Sequence, residues 1–168
     1  RMATPLIYCV LGALISSHAG SFNIALEGTM LVASFTAVLL SSITGSVLGG
    51  LVGAVLGGVL FSFILAYMHL RKDSDLLLTG IALNLVASGG TVFFLFALTG
   101  EKGLSRSLDS LVVPDWQIPF IKDIPIIGQV FSGHNALTYT AILFVFLAYI
   151  LIYRTSLGLR IRAVGFNP

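Results

Sequence analysis

The stretch AILFVFLAYILIYRTSLGLRIRAVGFNP, residues 141–168, decides the fold. Its first part, 141–152, holds no charged residue, and Arg154, Arg160 and Arg162 then follow in close succession. An apolar segment that ends in a basic, glycine-containing one has left a bilayer on the cytoplasmic side, where Lys and Arg accumulate. That boundary orients every segment before it. It also leaves a basic surface on the cytoplasmic face that a soluble partner can grip.

Composition points the same way. The 168 residues are 57% hydrophobic and only 10% charged, with a mean hydropathy of +1.01. A soluble domain carries about a quarter charged residues. Polar surface is therefore too scarce here to coat a water-facing globule, and an integral membrane protein follows. A net charge of +2 with no basic stripe argues against a nucleic-acid partner. The lone Cys9 can form no internal disulfide and reads as a small buried hydrophobe rather than a catalytic thiol. The chain opens on Arg1, so it is expected to begin inside a longer protein. Residues 2–15 have the length of a secretory signal core, but His18, Asn23 and Glu27 follow without a polar mature domain, and the signal reading is rejected.

Charges vanish between Glu27 and Arg71, far longer than the roughly 20 residues that one crossing needs. Ser41, Ser42, Thr44 and Gly45 read as a tight turn, so 22–40 and 46–68 are expected as a helical hairpin. In its second arm Gly49, Gly53 and Gly57 recur at a spacing of four and are expected to line a packing seam. Arg71, Lys72, Asp73 and Asp75 form a short charged loop, and 76–98 is the next crossing. Residues 99–135 carry Pro114, Pro119 and Pro125 with a slight acidic excess. They are expected as a folded outer loop, with Trp116 and Phe120 at headgroup level. Residues 136–153 make the last crossing. The two basic segments are separated by two crossings, so both fall in the cytoplasm, and parity agrees with charge. The predicted fold class is an all-α, polytopic helical membrane protein, with 1–168 a single transmembrane domain.

The first forty residues are read as a helix over 2–15, a break at 16–21 and the helix 22–40. The favoured reading is a discontinuous helix broken at membrane depth. Irregular backbone survives there only when buried or lining a watery cavity, and in transporters such breaks often mark the substrate region. Two full crossings joined by an interior loop are the alternative, and they place the N-terminus outside.

Glu27 is the only acid in the first seventy residues, and within a membrane it costs about 3 kcal/mol unless paired or solvated. Asn23 precedes it by four, which predicts a shared helix face. With Phe22 they make a polar patch with an aromatic neighbour, suited to a sugar or a nucleoside. The competing reading is a hydrogen-bond clamp between helices. Asn84, mid-helix in 76–98, has the same two readings. His18, His69 and His134 lack metal-ligand spacing, so no metal is expected. The glycine-rich 45–58 lacks the lysine of a phosphate cradle, and no hydrolytic elbow occurs, so no catalysis is expected of this chain. A proton-coupled secondary transporter using Glu27, and an intramembrane enzyme using Glu27 with His18, stand as rivals.

Four motifs carry a resemblance. AGSFNIALEGTMLVASF (19–35), LLLTGIALNLVASGGT (76–91), DIPIIGQVF (123–131) and YRTSLGLRIRAVGFNP (153–168) occur in this order. They resemble the signatures of bacterial ABC-importer permeases, in the simple-sugar and nucleoside branch. The resemblance spans most of the chain. It implies the N-terminal half of a type II importer permease, with a broken helix near the N-terminus. It implies an ATP-driven importer of nucleosides or simple sugars that works by alternating access in the bacterial plasma (inner) membrane. Within a cytoplasmic coupling segment, 154–168, it gives Arg160, Arg162, Ala163, Gly165, Asn167 and Pro168 the task of docking an ATP-binding cassette subunit. That subunit binds the ATP, and this chain holds no cofactor. A second permease subunit, a different chain, and an extracytoplasmic substrate-binding lipoprotein or periplasmic protein are the other implied partners. Substrate-path roles pass to Phe22, Asn23, Glu27 and Asn84. Three departures stand out: Ala25 replaces the usual Gly, His18 a commonly charged residue, and Phe166 the usual Glu, which removes an ion pair with the ATPase.

Overall fold

The computed structural model describes residues 3–100, 111–116 and 134–166. They form helices α1 (Ala3–His18), α2 (Leu26–Thr44), α3 (Val47–Lys72), α4 (Leu76–Thr99), α5 (Ala136–Arg154) and α6 (Ser156–Phe166). Two-residue strands β1 (Asp115–Trp116) and β2 (His134–Asn135) pair antiparallel just before α5. Helices α2 to α5 are each long and apolar enough to cross a bilayer, while α1 is a shorter apolar helix. The all-α, polytopic class holds. Most of the outer loop, including the 123–131 motif and Phe120, lies outside the described residues, as do Asn167 and Pro168. The chain divides into two compact units, a hairpin unit, Phe22–Val112, and a terminal unit, Arg1–Ser21 with Val113–Pro168.

In the hairpin unit α2 and α3 pack along a face where side chains are nearly absent. Gly50, Gly53 and Gly57 are buried on α3, followed on the same face by Phe61 and Leu65. A Cβ on Gly53 would lie 2.7 Å from the Thr36 carbonyl oxygen and 2.9 Å from Leu40 Cβ, so only hydrogen fits. Close backbone approach of this kind gains dispersion contacts that lipid cannot supply. The expected seam is present, with one correction: Gly50 meets Ala37 and Ser41, while Gly49 faces Thr44 and Ser46 at the turn.

The turn is shorter than the sequence reading. α2 continues through Ser41 and Thr44, and only Gly45 and Ser46 leave the helix. Thr44 Oγ1 donates to the Leu40 carbonyl at 2.6 Å, so its hydroxyl is satisfied inside the helix. Gly45 takes the left-handed conformation that closes α2 (φ 59°), and Ser46 caps α3 by accepting from Gly49 N at 3.0 Å. Ser41 is buried, and its Oγ accepts from Leu111 N at 3.2 Å. The charged loop also shrinks, because Arg71 and Lys72 belong to the last turn of α3, where cations complement the helix dipole. Asp75 then caps α4, its Oδ1 accepting from Leu77 N and Leu78 N.

In the terminal unit α1 and α5 run parallel. Thr4 Oγ1 meets Thr138 Oγ1 at 3.0 Å, and the Tyr8 hydroxyl donates to the Leu137 carbonyl and lies 2.8 Å from Thr140 Oγ1. Tyr8 also packs edge-on to Phe144, and His18 edge-on to Tyr153. The two helices thus stay in register from beginning to end. The 16 residues of α1 span roughly 24 Å at 1.5 Å per residue. A break near the N-terminus separates α1 from α2, and it follows His18, whose ring packs against Tyr153 near the basic end of α5.

Candidate functional site

The motif around Phe22, Asn23 and Glu27 is a connector followed by a helix start. Asn23 does not share a helix face with Glu27, because α2 begins only at Leu26. The Asn23 side chain instead accepts from Ala25 N at 3.0 Å, a local bond that competes with helix formation. Phe22 is 75% exposed. Glu27 is exposed in the first turn of α2, where the helix dipole favours a carboxylate.

The start of α2 is unusual, since its N-cap is Ala25, which has no side-chain acceptor. Asn84 of α4 supplies one. Its Oδ1 accepts from Gly28 N at 2.7 Å, and its Nδ2 donates to the Ile24 carbonyl at 2.9 Å. One amide from a neighbouring helix thereby satisfies a donor and an acceptor of the connector and the first turn. The approach is tight, for a Cβ on Gly28 would lie 2.9 Å from Asn84 Oδ1 and 3.0 Å from Ala87 Cβ. Ala25 is 1% exposed, so the Ala found in place of Gly is accommodated. Of the two roles open to Asn84, the geometry supplies the interhelical bond, and both polar ends of its side chain are occupied by backbone. Farther along the same helices Leu31, Ser34, Phe35, Val38, Thr91, Val92 and Leu95 line a cleft of about 260 Å³. Ser34 and Thr91 give it two hydroxyls, and Phe35 an aromatic ring.

The second feature is the segment after α5. Thr155 ends α5 and starts α6, its Oγ1 accepting from Gly158 N at 3.2 Å. Gly158 packs against the carbonyls of Leu151 and Ile152, leaving no room for a side chain. The residues TSLG thus turn the chain sharply into a separate helix. Arg154 and Arg160 are exposed, as is Ala163, while Arg162 is half-buried with its guanidinium carbon 5.3 Å from the Tyr153 ring centroid. This is a cation–π geometry. Arg162 Nε is buried and has no partner among the described residues. Leu157, Leu159, Val164 and Phe166 are exposed, Phe166 at 91%. A helix that offers arginines and exposed apolar side chains together, at the basic end of a crossing, has the make-up of a protein-docking surface.

The sequence reading missed the grip of α6 on α1. Gly20 adopts φ 79°, and a Cβ on it would lie 3.1 Å from Gly165 Cα, while Gly165 itself abuts the His18 carbonyl. His18 Nδ1 donates to the Leu14 carbonyl at 2.9 Å, so this histidine closes its own helix. Ser16 holds the next residue, its Oγ donating to the Ser21 carbonyl at 2.7 Å. The signal was a pair of glycines, 145 residues apart, with no periodic pattern to join them. Among the described residues no group of three His, Cys, Asp or Glu side chains could hold a metal ion.

Comparisons with known proteins converge. The family described as branched-chain amino acid transport system / permease component matches residues 1–168. The chain is 36% identical to the guanosine ABC transporter permease protein NupQ of Bacillus subtilis, over 99% of this chain and 54% of that protein. It is 32% identical to the nucleoside ABC transporter permease protein NupC of Lactococcus lactis, again over 99% of this chain and 54% of that protein. The chain thus spans about half the length of the curated relatives it matches. No solved structure matches it significantly.

Proposed function

This chain belongs to the family of branched-chain amino acid transport system permease components, and from that premise we propose that it is a transmembrane subunit of an ATP-driven importer for nucleosides or simple sugars. It is a transport component rather than a catalyst, and a separate ATP-binding cassette subunit binds and hydrolyses the ATP. The observation that carries the reading is α6, an arginine-bearing helix with exposed apolar side chains at the basic end of α5. It fits a docking role, with Phe166 offering an exposed apolar knob where the resembled family usually has Glu. Nucleotide binding to the ATPase then favours one arrangement of the helices over the other, and access alternates between the two sides. The exposed side chains of Phe22 and Glu27, and the Ser34–Phe35–Thr91 cleft, are the surfaces this chain contributes to the substrate path. A second permease subunit completes that path, and an extracytoplasmic binding protein delivers the substrate. The setting is the bacterial inner membrane.

The test is uptake by the full transporter, with its ATPase, in proteoliposomes loaded with ATP. Guanosine and glucose, each radiolabelled, are offered with the cognate binding protein. ATP-dependent uptake of one of them that survives a protonophore is the expected result. Uptake that collapses with the proton gradient while ATP is held constant contradicts the proposal and favours proton coupling at Glu27.

A further inference from the structure

Helices α2, α3 and α4 belong to one unit, and their register fixes where α2 starts. Asn84 accepts from Gly28 N, and a Cβ on Gly28 would lie 3.0 Å from Phe61 Cε1. From Asn84 back to its cap residue Asp75, α4 rises about 13 Å, and from Phe61 on to Lys72 α3 rises about 16 Å, at 1.5 Å per residue. The first turn of α2 is therefore recessed by on the order of 10 Å from the charged segment 71–75. Glu27 stands in that turn with its side chain exposed. A carboxylate at such depth in a span is costly against lipid and faces water or a polar partner instead. The face of α2 that carries Glu27 also carries Leu31, Ser34 and Val38, at intervals of four, three and four residues. These three, with Phe35 and, from α4, Thr91, line the cleft of about 260 Å³. The cleft thus opens on the side that the charge of Glu27 keeps away from lipid.

What the cleft offers a ligand is one-sided. Ser34 Oγ donates to the Leu31 carbonyl at 2.9 Å, and Thr91 Oγ1 donates to the Ala87 carbonyl at 2.7 Å. Each hydroxyl proton is spent inside its own helix, and only the oxygen lone pairs remain. An ionised Glu27 likewise only accepts. The other side chains lining the cleft are hydrocarbon. We propose that this face of α2, with Thr91, is an acceptor wall that selects neutral, hydroxyl-rich solutes by their donor groups. The proposal rests on the importer reading and names the part of the substrate this chain touches, the hydroxyls of a sugar or ribose ring. Such a hydroxyl donates to Ser34 or Thr91 without breaking an intrahelical bond. A carboxylate or phosphate oxygen finds no free proton there, and its charge is repelled by Glu27. Phe35 gives the C–H surface of the ring an apolar neighbour.

The experiment uses the full transporter with its ATPase in proteoliposomes, with one unaltered binding protein throughout. Uptake of guanosine and of its dideoxy analogue is compared between the wild type and a Ser34→Ala, Thr91→Val double variant; glucose and deoxyglucose take their place where glucose is the solute carried. Because the binding protein is constant, a change in preference belongs to the permease. The preference for the hydroxylated solute is expected to fall at least about fivefold in the variant, and an unchanged preference overturns the wall. A second readout needs no transport. Ser34→Cys in a Cys9→Ser background is expected to react with water-soluble methanethiosulfonates. Relative to a free thiol, the cationic reagent is expected to react faster than the anionic one, and Glu27→Gln to narrow the difference. An unreactive Ser34→Cys in a complex that still hydrolyses ATP marks the face as covered by lipid or by another helix and overturns the proposal, as do equal relative rates for the two reagents. Absence of guanosine and glucose uptake strikes the importer reading instead, while the thiol reactivity still decides the wall.

Discussion

The α2–α3 hairpin and the α1–α5 pair solve the same problem by opposite means. Helices in a bilayer gain nothing from hiding apolar surface, because lipid is as apolar as they are. The hairpin removes side chains at Gly50, Gly53 and Gly57 and brings two backbones together. The α1–α5 pair keeps its side chains and joins hydroxyls, Thr4 to Thr138 and Tyr8 to Thr140. The first arrangement cannot tolerate an added carbon. The second tolerates change and loses only a modest bond. A rigid arm and a more adjustable one thus lie in different units of the same chain.

The comparison is most easily broken at Gly53. Gly53→Leu forces a side chain into the Thr36 carbonyl and is expected to destabilise the fold by about 3 kcal/mol or more, read as a lowered thermal midpoint in detergent. Survival of Gly53→Leu at the wild-type midpoint ends the seam argument. A smaller loss is expected at the clamp. Asn84→Leu leaves the Gly28 N–H and the Ile24 carbonyl without their partner and costs about 2 kcal/mol, with Asn84→Asp nearer wild type because it keeps the acceptor. The smallest effect belongs to the adjustable arm. Tyr8→Phe is expected to cost about 0.6 kcal/mol, and a double-mutant cycle with Thr140→Val should return a coupling of the same size. A coupling of zero removes the Tyr8–Thr140 contact from the account and leaves the α1–α5 register to Thr4–Thr138, the Tyr8 bond to the Leu137 carbonyl and the ring contacts.

How far the sequence reached follows the same division. The seam was legible because its residues share one helix and one spacing. The ends of two apolar helices were legible because Arg71, Lys72 and Arg154, costly inside lipid, fall in their last turns. The Ser41–Thr44 stretch misled because hydroxyl residues mark turns in water, whereas Thr44 here bonds back to Leu40 within the helix. The Asn23–Glu27 face failed for a related reason: the Asn23 side chain takes a backbone N–H and delays the helix to Leu26. The clamp of Asn84 on Gly28, the grip of α6 on Gly20 and the α1–α5 hydroxyl contacts join residues distant in the chain. No local pattern encodes such pairs. Of the candidate site, the charged residues Glu27, Arg154 and Arg160 could be picked out in the sequence, and the connector's anchoring could not.

The direction of α1 is the point on which the orientation of the terminal unit turns, and impermeant maleimide labelling of single cysteines in a Cys9→Ser background tests it. Pro5→Cys and Asn135→Cys are expected to react in intact cells, and Lys72→Cys and Arg160→Cys only after permeabilisation. Labelling of Arg160→Cys in intact cells, or of Pro5→Cys only after permeabilisation, would contradict a basic, inward-facing end shared by α1 and α5.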